Sequence, residues 1–143
     1  MTHLTEEKIE TILRKHLHDK GWTKQNSPKS KGQHGCDIIA TNPRWNKTFY
    51  IEVKGETENH KEQTKNNAFW TLFGQILSRM DIQGNSKNNS RRYALAIPAN
   101  WHNTFKNKIK EMSYGWKLLK LEVFLVSKNN VEKKSNSYFL KSK

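Results

Sequence analysis

Asp37 and the run Glu52-Val53-Lys54 are the residues whose types and spacing can do chemistry. Each acid sits in a short β-prone run, Asp37-Ile38-Ile39-Ala40 in one case and Phe49-Tyr50-Ile51-Glu52-Val53-Lys54 in the other. Two carboxylates completed by water and a substrate phosphate form an all-oxygen shell, which suits magnesium or manganese, whereas zinc favours sulfur and imidazole. A lysine beside such an ion can orient an attacking water or neutralise charge developing on a phosphate in the transition state. Hydrolysis of a phosphodiester needs both functions.

The elements around these residues must bring them together. Strand periodicity puts Phe49, Ile51 and Val53 on one face, and Glu52 and Lys54 on the other. Asn42, Pro43, Asn46 and Lys47 are turn and loop formers, so the two runs read as a β-hairpin. Antiparallel partners keep a constant sum of residue numbers, and a loop centred on Arg44 and Trp45 therefore sets Asp37 beside Glu52. Glu-x-Lys on one strand face is, taken alone, more often a solvated pair worth roughly a few tenths of a kcal/mol. The hairpin and the upstream Asp37 are what favour the catalytic reading.

Charge supplies a partner for this chemistry. The chain carries 26 Lys and Arg against 13 Asp and Glu, a net +13 on 143 residues. Such an excess repels itself unless a polyanion is the partner, and nucleic acid fits. No apolar run approaches a transmembrane span, and residues 1–10 are too polar and acidic for a secretory signal or transit peptide, so a cytoplasmic protein with no membrane partner is expected. Cys36 is the sole cysteine. It can form no intrachain disulfide, which is compatible with a reducing compartment, and its neighbours suggest simple packing. His16 and His18 diverge around a helix and no cysteine pair accompanies the histidines, so zinc has little support. No Walker loop or Gly-x-Gly-x-x-Gly turn supports nucleotide hydrolysis.

Length favours a single domain over residues 1–143. Thr5 is a good N-cap, Glu6 and Glu7 complement the helix dipole, and Ile9, Ile12, Leu13, His16 and Leu17 recur at helical spacing until Lys20-Gly21. A short strand is expected at 22–24, a loop at 25–35, then the hairpin. Phe69, Leu72, Phe73, Ile76, Leu77 and Met80 form a helical core stripe. Residues 92–98 read as a buried strand, 101–112 as a helix and 121–126 as a further strand, while 83–92 and 127–137 read as loops, the second a candidate hairpin. Helices interleaved with strands predict an α/β sandwich, a mixed sheet flanked by helices.

In this order of elements, and in Gly35-Cys36-Asp37-Ile38-Ile39-Ala40 and Tyr50-Ile51-Glu52-Val53-Lys54, the chain resembles the PD-(D/E)XK nuclease superfamily. The similarity is to its small members, the Mrr-like enzymes and Holliday-junction resolvases, and covers roughly the first 80 residues. Cys36 stands where the superfamily name has proline, at a variable, nonligating position. The resemblance implies a restriction-endonuclease-like three-layer sandwich and a magnesium-dependent DNA endonuclease in which manganese can substitute. Asp37 and Glu52 would ligate the metal and Lys54 would be the catalytic lysine. Glu10 is the third acid by the superfamily pattern, whereas helical periodicity places Glu6 nearer the centre of the apolar stripe and keeps it in reserve. Lys29, Lys31, Gln33 and His34 lead into Asp37 and are candidates to grip backbone phosphates, with an ordinary solvated loop as the alternative. Trp45 is the tryptophan to test for stacking on unpaired bases. RNA stays open as a substrate, and a homodimer stays open as the assembly. From a different class, a noncatalytic nucleic-acid-binding module would keep the fold and the basic surface, with Glu52 and Lys54 as a strand pair only.

Overall fold

The computed structural model describes residues 4–28, 36–56, 62–80 and 90–140, the side chains of 62–64 excepted. Thr5 caps the first helix, α1 (Glu6–Asp19), its hydroxyl accepting the Lys8 N–H at 3.3 Å, with Glu6 and Glu7 in the electropositive first turn. Ile9, Leu13 and Leu17 recur every four residues and are buried. Gly21, at φ +102, turns the chain out of the helix where a side chain would be strained, and leads to β1 (Lys24–Gln25).

The hairpin follows as β2 (Ile38–Asn42) and β3 (Lys47–Val53). Its register pairs Ile38 with Ile51, Ala40 with Phe49 and Asn42 with Lys47, the constant sum that a turn centred on Arg44 and Trp45 demands. Beyond the hairpin come α2 (Glu62–Arg79), β4 (Arg91–Pro98), a 3-10 turn (Ala99–Trp101), α3 (His102–Glu111), α4 (Ser113–Leu119), β5 (Glu122–Ser127), β6 (Asn130–Lys134) and a closing 3-10 turn (Asn136–Leu140).

The strands form one six-stranded mixed sheet in the order β1-β2-β3-β4-β5-β6. β3, β4 and β5 run parallel, and the outer pairings are antiparallel. Side-chain alternation divides the core into two. Ile38, Ala40, Phe49, Ile51 and Val53 join Ala94, Ala96, Phe124 and Val126 beneath α1, whereas Tyr93, Leu95, Ile97, Val123 and Leu125 pack under α2, α3 and α4. In β4 the small alanines face α1 and the large side chains face the three-helix layer. The result is an α/β architecture with helices on both faces of an open mixed sheet.

Several expected boundaries move, each for a physical reason. The short strand expected at 22–24 lies at Lys24–Gln25, because Trp22 is a buried anchor whose ring centroid sits 4.6 Å from that of Phe49. The single helix expected over 101–112 is a 3-10 turn followed by α3, and Met112 (φ −133, ψ 41) breaks the chain before a separate α4. The segment 127–137, a loop or hairpin by its composition, is the hairpin: Ser127 pairs with Asn130 and β6 follows as an edge strand, its exposed positions carrying the Asn, Glu and Lys residues. Arg91 and Arg92, assigned to a loop at 83–92 or to a strand start, belong to β4, and 83–89 lie outside the described residues.

Candidate active site at the strand ends

Asp37 occupies the bend just before β2. One more step of the β2–β3 ladder puts it across from Glu52, and its Oδ2 accepts the Val53 N–H at 2.8 Å. Its own carbonyl accepts from Arg14 Nη2 at 3.1 Å. The carboxylate is thus oriented by backbone next to Glu52.

Glu52 is the charged residue in an otherwise apolar stretch of β3, 1% exposed, on the face covered by α2. A buried carboxylate requires a cation or donors. Arg79, in the last turn of α2, supplies one, its Nε donating to Glu52 Oε2 at 2.9 Å. That bond raises the arginine above its ordinary pKa, so it stays charged. Cys36 packs against the same pair. Burial, then the Glu52 charge, pushes its thiol up to about 12, so the side chain is a neutral neighbour of the carboxylate as well as a packing residue.

Lys54 lies past the end of β3, and alternation no longer governs it. Its N–H donates to the Ala96 carbonyl at 3.0 Å. Gly55 then passes so close to α1 that a Cβ there would overlap the backbone of Thr5 and Glu6. Glu56 completes the clamp, its N–H donating to the Leu4 carbonyl at 2.7 Å while its Oε1 accepts the Leu4 N–H at 2.9 Å. The strand exit is fastened to the start of α1, and Lys54 Nζ comes to 3.4 Å from Glu6 Oε1. This corrects the expectation that Glu52 and Lys54 project together: the carboxylate pairs with an arginine of α2, and the ammonium reaches a glutamate of α1 on the other side of the sheet.

Glu10 does not meet Lys54. Its Oε2 accepts from Arg14 Nε at 2.9 Å, and Arg14 goes on to the carbonyls of Asn26 and Asp37 and to the Asn26 side chain. Glu10 therefore reaches the Asp37 backbone through Arg14, and Glu6 is the α1 acid in contact with the lysine. Lys29, Lys31, Gln33 and His34 lie outside the described residues.

Among the described residues no three His, Cys, Asp or Glu side chains converge as a metal-holding group. Asp37 and Glu52 nevertheless supply hard oxygen donors in the number that magnesium usually takes from protein, the remainder of its shell coming from water and phosphate. Their chemistry fits that ion. The site also contains residues that motif reading missed. Arg79 falls three residues after Ile76 and seven after Leu72, on the buried stripe of α2, and a charge at such a position signals a buried partner. Arg14 could have been found as the i+4 partner of Glu10. Asn26, which also accepts the Ile39 N–H at 2.9 Å, carries no local signal of its role.

Comparison of the chain with protein-family models, with curated proteins and with solved structures found no match.

Proposed function

We propose that this chain is a magnesium-dependent DNA endonuclease of the restriction-endonuclease-like, PD-(D/E)XK type. The observation that carries the reading is the Asp37 carboxylate keyed to the Val53 N–H, one residue from the buried Glu52 and at the strand end from which Lys54 emerges. Asp37 and Glu52 would hold the ion, which when bound supplies Lewis-acid polarisation of a phosphoryl oxygen. Lys54 holds a positive charge at the β3 exit, where it can meet negative charge developing on the scissile phosphate. Glu6 keeps that ammonium at the start of α1. Arg79 balances the Glu52 charge, and Glu10 acts through Arg14 to fix the Asp37 backbone. The net charge of +13 favours a polyanionic substrate, with DNA as the first choice and RNA as a second arm of the test.

The test is nicking of supercoiled plasmid, and of end-labelled DNA and RNA, in magnesium and in EDTA. Asp37→Asn, Glu52→Gln and Lys54→Ala should each lower the rate by about 10²-fold or more, with binding in EDTA retained. A second reading is favoured by the Glu52–Arg79 pair, which by itself accounts for a buried glutamate: a noncatalytic nucleic-acid-binding module. Tight binding with no cleavage that depends on metal and on these residues selects that module.

A further inference from the structure

A second feature lies at the opposite end of α1, on the same face of the sheet. A cavity of about 370 Å³ opens between the C-terminal turn of α1, the β2–β3 turn and strands β3 to β6. Trp22, Phe49 and Trp45 form its aromatic wall, Lys20, Arg92 and Lys133 supply charge, and among the described residues none that lines it is acidic.

Trp45 is 57% exposed, but its position is fixed. Asn42 is buried in the turn, and its Oδ1 accepts the N–H groups of Arg44 and Trp45 at 3.0 and 3.3 Å. Its carbonyl accepts the Asn46 N–H at 2.8 Å, and Asn46 takes φ 54 to close the turn. The indole is braced edge-to-face against Trp22, at 6.2 Å and 81°. A large aromatic presented half to solvent on so constrained a turn is a preformed surface. Beside it, Arg92 lies 4.5 Å over the Phe49 ring and makes a two-nitrogen contact to Glu122. Lys133 reaches the same carboxylate at 3.6 Å, so two cations share one negative charge and the site stays electropositive.

We propose that this cavity binds an unstacked nucleobase together with its phosphate, the base stacking on Trp45 and the phosphate meeting Lys20 and Lys133. Stacking is the sequence-tolerant way to hold a base, and cations beside the ring select one that carries a phosphate. The inference rests on the nucleic-acid half of the proposed function and is independent of cleavage. Fourteen residues separate Glu6, which meets Lys54, from Lys20, a rise of about 21 Å, and a nucleic-acid strand advances about 3.4 Å per residue. A strand whose phosphate lay at Lys54 would therefore present a base here about six nucleotides away.

The experiment measures binding in EDTA, by anisotropy, of a fluorescein-labelled single strand, a duplex with a single-stranded overhang and a blunt duplex, with tryptophan quenching by deoxyadenosine monophosphate as a separate arm. Trp45→Ala should weaken single-strand and overhang binding by about 5- to 150-fold with an unchanged salt slope, and Trp45→Phe should recover most of it. Lys133→Ala should lower the salt slope by about one. Loss confined to strands places the base in a polynucleotide, and Trp45-dependent quenching by the mononucleotide places it in a free nucleotide; both support the site. Unchanged affinity of Trp45→Ala for every probe, or equal loss on the blunt duplex, overturns it. Absence of nicking with this Trp45 dependence intact counts against the nuclease and leaves the base site standing.

Discussion

Arg79→Ala separates the two roles that a cation can play at Glu52. The carboxylate is 1% exposed and the guanidinium 27%, with 2.9 Å between Nε and Oε2. At an effective dielectric constant of about 20 the gross attraction is roughly 6 kcal/mol, much of it offset by desolvation. Removing one partner of a fully buried pair costs about 3–5 kcal/mol, and the partial exposure of Arg79 scales this to about 2–4 kcal/mol. For a domain of this size the melting temperature should fall by about 6–12 °C. Arg79→Lys should lose much less, and the Glu52→Leu, Arg79→Leu double variant should approach the parent, since it leaves no buried charge. Magnesium is the decisive addition. In the parent the ion must compete with Arg79 for Glu52, whereas in Arg79→Ala it would meet a carboxylate that has lost its guanidinium partner. Thermal melts with and without magnesium should show a larger stabilisation of the variant, about 1.4 kcal/mol at ten times its Kd. Equal magnesium effects on both proteins, or a loss below about 1 kcal/mol for Arg79→Ala, would refute the assignment of Glu52 as a charge awaiting an ion.

Three further outcomes follow from the same geometry. Arg14→Ala removes charge-assisted bonds to Asn26 and to the Asp37 carbonyl and should cost about 1–3 kcal/mol in urea unfolding, whereas Glu10→Gln should cost under about 1 kcal/mol; complete loss of cleavage by Glu10→Gln at unchanged stability would make Glu10 a ligand instead. Gly55→Ala forces a Cβ into the Thr5–Glu6 backbone and should destabilise by about 1–3 kcal/mol or more while lowering cleavage through displacement of Lys54, read by denaturation and nicking together. Cys36 has its thiol raised from its ordinary value of 9.0 to about 12, so the folded state keeps a proton that the unfolded chain has lost. Its contribution is complete below pH 9 and is lost as pH rises toward 12, a decline of up to about 4 kcal/mol that Cys36→Ala should abolish when pH-dependent unfolding of the two proteins is compared.

The sequence was most legible where local rules are strong. Turn formers at Asn42, Pro43 and Asn46 set the hairpin register, so Asp37 could be placed beside Glu52 from spacing, and Thr5 with Glu6 and Glu7 marked the start of α1. The face rule failed at Lys54 because β3 ends at Val53 and the Gly55 approach to α1 redirects the lysine, a tertiary contact that strand periodicity does not contain. Arg79 lies 27 residues from Glu52, across a crossover whose geometry no local pattern specifies. The hairpin at 127–137 was legible but the bounds of β6 were not, because an edge strand needs few apolar residues, and the division of α3 from α4 turns on the Met112 backbone.

We infer that Asp37 and Glu52 share one divalent ion. A crystal soaked in manganese, with anomalous scattering recorded at the metal edge, tests it directly. One peak within ligand distance of both carboxylates is expected, with Arg79 withdrawn from Glu52. A Glu52–Arg79 pair still intact, with no manganese between Asp37 and Glu52, would contradict it.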